Sequence, residues 1–363
     1  MVLRNRTRAD SSFHRLVRDK HAAFTALAAV GKYWAYGGLV DLAKVNDPCE
    51  TGDHSCLSDL PLYSWNHKRS YWWEAHQSKA QRFRQHPRLD LLGAPDPVSN
   101  NLEMRWRNFL RPKAMPWLLD HQVQNTILYP AAGMLVMVVE AARQFTEGRD
   151  DIGAFELCDV LISKAMVVPN NSHGLETILS VKAEASSSDT YQFAIMSRLS
   201  ENMWQENCTG SLALCLRNSD ESQKLSVHGK AKQDHPFPEG SRQMSPRNLY
   251  EQFDKLGMKW GPAFRNIVQI TAAVDRRSRS IVRIPDTQSL MPLKYEQPHL
   301  IHPVTLDAMV QSMVLPLPAS ECQRIPQAID YVYIASELPS SHGAEFLGEA
   351  FTQDVGLRST QGT

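Results

Sequence analysis

Two short stretches carry side chains suited to moving protons. The first is LLDHQVQNTILYPAAG, in which His121 lies nine residues before Pro130. A neutral imidazole is a competent base near pH 7. Pro130 opens an apolar run over 130–145. Proline suits a helix's first turn, where its missing N–H would have been unpaired anyway. A strand bearing His121 would set the imidazole near that helix's N-terminus, where free N–H groups and the positive dipole end favour developing negative charge. The second stretch is HPVTLDAMVQ, with Asp307 and Gln311 four apart. They share one face of an otherwise apolar helix. A buried carboxylate is costly unless hydrogen-bonded, and burial raises its pKa. A protonated Asp307 braced by Gln311 would serve as a general acid. Each residue also has a plainer reading. His121 is one of 13 histidines, and Asp307 would complement a helix dipole from the first turn.

Other clusters carry less. Cys49, His54 and Cys56 are close together, but no second ligand pair follows at zinc-site spacing. Arg276, Arg277, Arg279 and Arg283 beside Asp275 read as a solvated hairpin. There is no P-loop, no GxGxxG and no GxSxG, so nucleotide binding and serine-hydrolase chemistry lack support. Trp65, Tyr71, Trp72, Trp73 and Phe83 lie among basic residues. Such interleaving can bind single-stranded nucleic acid. Yet Lys+Arg and Asp+Glu both count 39, a net charge of zero, which argues against a phosphate-binding chain. An extended linker pinned on neighbouring domains by its aromatics is the better account.

The elements that must position these groups follow from length and pattern. A chain of 363 residues holds about two domains. Residues 1–46 read as helical, broken at Gly37-Gly38, and 47–60 as loop. From 88 onward, β-rich runs dominate at 101–110, 155–168, 175–184, 190–198 and 209–216, interrupted by the helix at 130–145. That helix is apolar all round and should be buried. After a polar stretch over 217–245 the pattern repeats: a helix at 246–256 with Ser245 as N-cap, strands at 264–274 and 279–284, a buried helix at 303–314, and a strand at 328–336. Strands around one apolar helix, twice over, suggest a tandem duplication. No apolar run spans a bilayer: 128–142 is interrupted by Glu140 and falls short of about 20 residues. The N-terminus lacks the apolar core of a signal peptide. Six scattered cysteines fit a reducing, cytoplasmic setting, so the sequons at Asn170 and Asn207 are expected to be chance matches.

Taken together, these stretches resemble the dehydratase domains of polyketide synthases. DHQVQNTILYP looks like the family's HxxxGxxxxP motif and HPVTLDAMVQ like its DxxxQ motif, 186 residues apart. LEMRWRNFLRP, PAAGMLVMVVEAARQ and LYEQFDKLGMKWGPAF fit the flanks. AVGKYWAYGGLVDLAKVN resembles the end of an acyltransferase domain, and LPLYSWNHKRSYWWE the linker that follows it in fungal, highly reducing, iterative synthases. The resemblance implies an α+β double hotdog, two antiparallel sheets each wrapped on a central helix. It implies an acyltransferase tail over 1–46, a linker over 47–87, an N-terminal hotdog over 88–218, an interdomain linker over 219–244 and a C-terminal hotdog over 245–363. The family continues for several strands beyond IDYVYIASELPSSHGAEF, so the chain is expected to be a fragment with an incomplete second hotdog.

The same resemblance implies the chemistry. A β-hydroxyacyl chain, tethered by phosphopantetheine to an acyl carrier protein, loses water. No cofactor is bound directly and no metal is needed. His121 would remove the α-proton, Asp307 would protonate the departing hydroxyl, and Gln311 would orient it. The Ala131 N–H, just after Pro130, is the candidate donor to the thioester carbonyl. Tyr129, Gly133, His302 and Pro303 would line the substrate tunnel. Partners would be the carrier protein and neighbouring synthase domains, within a homodimeric synthase, with neither nucleic acid nor membrane. Asn125 stands where the motif has Gly; if φ is positive there, Asn is the next most tolerant residue. Asn207 stands where His is expected in WxxHCxG. Two alternatives stay open: a product-template cyclase domain with the same fold and a His/Asp pair, and a hotdog with a structural role only.

Overall fold

The computed structural model describes residues 20–46, 59–61, 63–66, 68–70, 72–184, 189–217, 241–273, 275–313, 325–356 and 359–362. Cys49, His54, Cys56 and Tyr71 lie outside them, as does most of the polar stretch over 217–245. The chain divides into two compact units, Met1–Trp72 and Trp73–Thr363. In the first, helices Ala22–Ala35 and Leu42–Asn46 bury no residue. They flank a turn where Gly37 takes φ 82°, a left-handed conformation that glycine adopts without strain. No helix among the described residues is long and apolar enough to cross a membrane.

Among the described residues, the second unit holds three sheets and two central helices. Helix Ala131–Phe145 is buried from Ala132 through Ala142. Its apolar character on every face leaves no side for water, and each large side chain so buried contributes about 1.5–3 kcal/mol. It lies against a seven-stranded antiparallel sheet in the order Ala94–Pro95, Glu103–Leu110, Leu175–Ala183, Thr190–Ser200, Met203–Leu216, Ile152–Ile162, Ala328–Ala335. The second central helix, Pro303–Gln311, packs on the first and on Arg277–Arg283. That strand belongs to a five-stranded sheet in the order Arg242–Met244, Ile267–Ala272, Arg277–Arg283, Glu345–Gly356, Ser359–Gly362. Two antiparallel sheets, each with its helix, make a double hotdog.

The halves are not as separate as a plain duplication suggests. Strand Ala328–Ala335, from the second half, pairs with Ile152–Ile162 of the first. It satisfies the outer hydrogen-bonding edge of a strand that would otherwise be bare. A small third sheet, in the order Met258–Trp260, His121–Val123, Thr126–Tyr129, Met166–Val167, also joins the halves.

Element boundaries differ in places from the sequence reading, each for a local reason. The strand expected at 264–274 begins at Ile267, because Pro262–Phe264 forms a 3-10 turn. Asn266 ties that turn down by donating to the carbonyls of Ala263 and Val304. The strand expected over 155–168 breaks after Ile162. There, the backbone carbonyl of buried Asn207 accepts the Ser163 N–H, and its side-chain Nδ2 donates to the Lys164 carbonyl. A side chain so enclosed is no glycosylation acceptor. The arginine hairpin is as expected, with Arg276 at φ 66° in the turn and Arg279 and Arg283 paired across the sheet with Glu349 and Glu345.

Candidate active site

His121 is placed by two turns. The 3-10 turn Pro116–Asp120 buries Trp117 and Leu118, and the chain leaves it extended at His121 (φ −117°, ψ 96°). Strand His121–Val123 then reverses through Gln124 and Asn125, both left-handed at φ 50° and 63°. That is the backbone of a two-residue hairpin whose twist suits the flanking strands, and Asn tolerates it well. The position where the resembled motif has Gly is thus one that Asn can fill. The Asn125 side chain accepts from Lys259 Nζ at 2.8 Å.

The hairpin brings the Leu128 carbonyl to 2.8 Å from His121 Nδ1. A carbonyl oxygen only accepts, so in the neutral ring Nδ1 carries the proton and Nε2 keeps its lone pair. The imidazole is 12% exposed. It packs against Phe264, with ring centroids 5.1 Å apart, and Trp260 stands opposite it in the sheet register.

Asp307 reaches the same spot from the second half. The His302 imidazole caps its helix, Nδ1 accepting the Val304 N–H at 3.2 Å, and Pro303 takes the first turn. One turn on, Asp307 is buried, and its Oδ1 lies 4.0 Å from His121 Nε2. Its Oδ2 accepts from Gln311 Nε2 at 2.9 Å. Burial raises the Asp307 pKa above its usual value, opposed by His121, Gln311 and Trp260.

The remaining expected residues sit on the elements next to this pair in sequence. Pro130 caps the first central helix, and Ala131 is its first residue, where the N–H has no acceptor within the helix. Tyr129 covers Gly133 so closely that a Cβ there would come within 2.6 Å of the ring. Both are buried, as are His302 and Pro303. His302 lies 3.3 Å from Glu296. It lines a cavity with Met115, Trp117, Glu140, Glu296 and His299, a cavity that neither His121 nor Asp307 borders. The structure therefore brings His121, Asp307 and Gln311 together, while His302 borders a neighbouring space.

Residue types alone did not point to Trp260, Phe264, Tyr250 or Asp120, which complete the site. The first three lie in LYEQFDKLGMKWGPAF, and Asp120 precedes His121. The signal was a stretch rich in aromatics, which any core segment also shows.

Comparison with known proteins bears on the fold and the family. A polyketide synthase dehydratase domain model matches residues 89–198, and a polyketide synthase dehydratase N-terminal domain model matches 229–362. A highly reducing polyketide synthase of Emericella nidulans is 35% identical over 352 residues, covering 96% of this chain and 14% of its own length. A squalestatin tetraketide synthase of Cochliobolus lunatus is 34% identical over 366 residues, covering 95% and 14%. The chain thus spans about a seventh of the length of these relatives. Among solved structures, the dehydratase domain from the CurF module of curacin polyketide synthase has a TM-score of 0.58 at 18% identity, covering 74% of this chain and 89% of that one. An inactive mutant of the CurK dehydratase has a TM-score of 0.56 at 18% identity, covering 75% and 93%. With both models falling in order along one double-hotdog chain, and fungal synthases aligned over nearly all of it, the chain belongs to the polyketide synthase dehydratase family.

Proposed function

We propose that this chain removes water from a β-hydroxyacyl thioester to give the α,β-unsaturated thioester, as the dehydratase region of a fungal highly reducing synthase. The observation that carries the reading is the 4.0 Å approach of His121 Nε2 to Asp307 Oδ1 across the two halves. His121, whose neutral ring carries its proton at Nδ1 against the Leu128 carbonyl, takes the α-proton at Nε2. Asp307, whose pKa burial raises, gives its proton to the β-hydroxyl as the C–O bond breaks. The α C–H electrons become the new double bond and water departs. The Ala131 N–H polarises the thioester carbonyl, and Gln311 holds the acid in line. The pair is left as imidazolium and carboxylate, and proton transfer between them through the released water restores both. The substrate arrives on the phosphopantetheine arm of an acyl carrier protein, handed over by neighbouring domains of a homodimeric synthase.

The test is mass spectrometry of a 3-hydroxyacyl pantetheine thioester incubated with the full chain and with two variants. Wild type loses water; His121→Phe and Asp307→Asn slow it by about 10²–10⁴-fold while keeping the wild-type circular dichroism spectrum. Undiminished water loss in either variant overturns the assignment of that residue.

A further inference from the structure

Helix Pro246–Lys255 turns Leu249, Tyr250 and Phe253 inward. The Tyr250 hydroxyl ends beside the acid, in a chain of hydrogen bonds. Its oxygen accepts the Ile267 N–H at 3.3 Å, and its proton faces Gln311 Oε1 at 3.2 Å, nearer than the Phe264 carbonyl at 3.4 Å. The Gln311 amide then donates from Nε2 to Asp307 Oδ2 at 2.9 Å and to the Phe264 carbonyl at 3.2 Å. The two ends of the amide thus meet different needs: nitrogen faces two acceptors and oxygen faces one donor.

We propose that Tyr250 is a positioning residue for Asp307. By donating to Gln311 Oε1 it fixes the amide with N–H on Asp307 Oδ2, so the acid proton resides on Oδ1, the oxygen facing His121. The proposal rests on the acid/base reading above. An amide that lost its donor would leave Oε1 buried without a partner, a state folded proteins avoid. The side chain would turn to find another donor, and its N–H would leave the carboxyl. The charged or titratable groups near this network are His121, facing Asp307, and Arg265, whose guanidinium carbon lies 5.5 Å from the Tyr250 ring centroid and which pairs with Asp254.

The experiment follows Asp307 directly, through the infrared carboxyl band that disappears in Asp307→Asn, in the full chain. Tyr250→Phe removes one oxygen and keeps the ring. An N–H on a carboxylate favours the charged form, so losing it should raise the Asp307 titration by about half a pH unit or more. The kcat for water loss from a 3-hydroxyacyl pantetheine thioester should fall about tenfold with KM within about twofold. In a Gln311→Leu background Tyr250→Phe should change neither further, because the link is already cut. Replacing Tyr250 by 3-fluorotyrosine, a stronger donor of nearly the same size, should lower the titration, which keeps the test open if the phenylalanine variant does not fold. An unmoved titration, or equal effects in both backgrounds, overturns the proposal. A shifted titration in a chain that never releases water supports the role of Tyr250 and overturns the dehydratase reading. Water loss with an unmoved titration does the reverse.

Discussion

The Asp120 carboxyl fills the space that a side chain at position 261 would need. A Cβ built on Gly261 would lie 2.3 Å from Asp120 Oδ1. The Gly261 N–H donates to the Asp120 carbonyl at 2.7 Å, and Asp120 Oδ2 accepts the Ala263 N–H at 2.9 Å. Asp120 precedes His121 and Gly261 follows Trp260, so this contact locks the two halves together one residue from His121.

Gly261→Ala should therefore damage both stability and catalysis. The added methyl group meets a carboxyl held by backbone, so overpacking of about 1–3 kcal/mol is expected. Thermal melting should show the loss, and kcat should fall further than the lowered stability alone accounts for, because His121 shifts with Asp120. A variant as active and as stable as wild type would mean that the two segments separate freely.

The sign of a pH effect follows from Asp307. Burial raises its pKa in the folded chain above the ordinary value of 3.8. Its contribution to stability is complete below the unfolded value and is lost as pH rises through the raised folded value. Wild type should melt progressively lower relative to Asp307→Asn as pH climbs through that range. Turnover should decline over the same interval as the acid ionises. A melting difference that stays constant with pH would show the carboxyl to be unshifted.

Asn125 sits at φ 63° in the His121 hairpin. Asn125→Gly should be nearly neutral, within about 0.5 kcal/mol, since glycine adopts this conformation readily. Asn125→Val, β-branched in a left-handed position, should cost about 1–3 kcal/mol. Chemical denaturation of both variants checks the order; both lose the Lys259 contact, so a glycine variant as damaged as the valine one would show that the contact, not the backbone, sets the cost.

Glu140 interrupts an apolar helix and is buried. Its Oε1 accepts the Leu300 N–H at 2.7 Å, and Oε2 pairs with Arg143 at 2.9 Å. Glu140→Ala strands a buried backbone donor just before His302 and should cost about 1–3 kcal/mol. Glu140→Gln keeps an acceptor and should recover part of it. Equal melting of the two variants would show that the Leu300 bond contributes nothing.

The sequence by itself determined the two central helices, since runs such as GMLVMVVEAA have no polar face and must be enclosed. It determined that Asp307 and Gln311 share a helix face, because 3.6 residues per turn leaves no other arrangement. The type and spacing of these residues, with His121, also carried the family resemblance. Tertiary structure decided what the helical and strand periods do not encode. The pairing of Trp260 with His121, in a contact between halves that sets His121 4.0 Å from Asp307, depends on close approach at Gly261. The Tyr250 hydroxyl reaches Gln311 across 61 positions, and strand Ala328–Ala335 joins the other half's sheet. Such contacts depend on which distant segments meet once the core has packed, and local propensity carries no information about that.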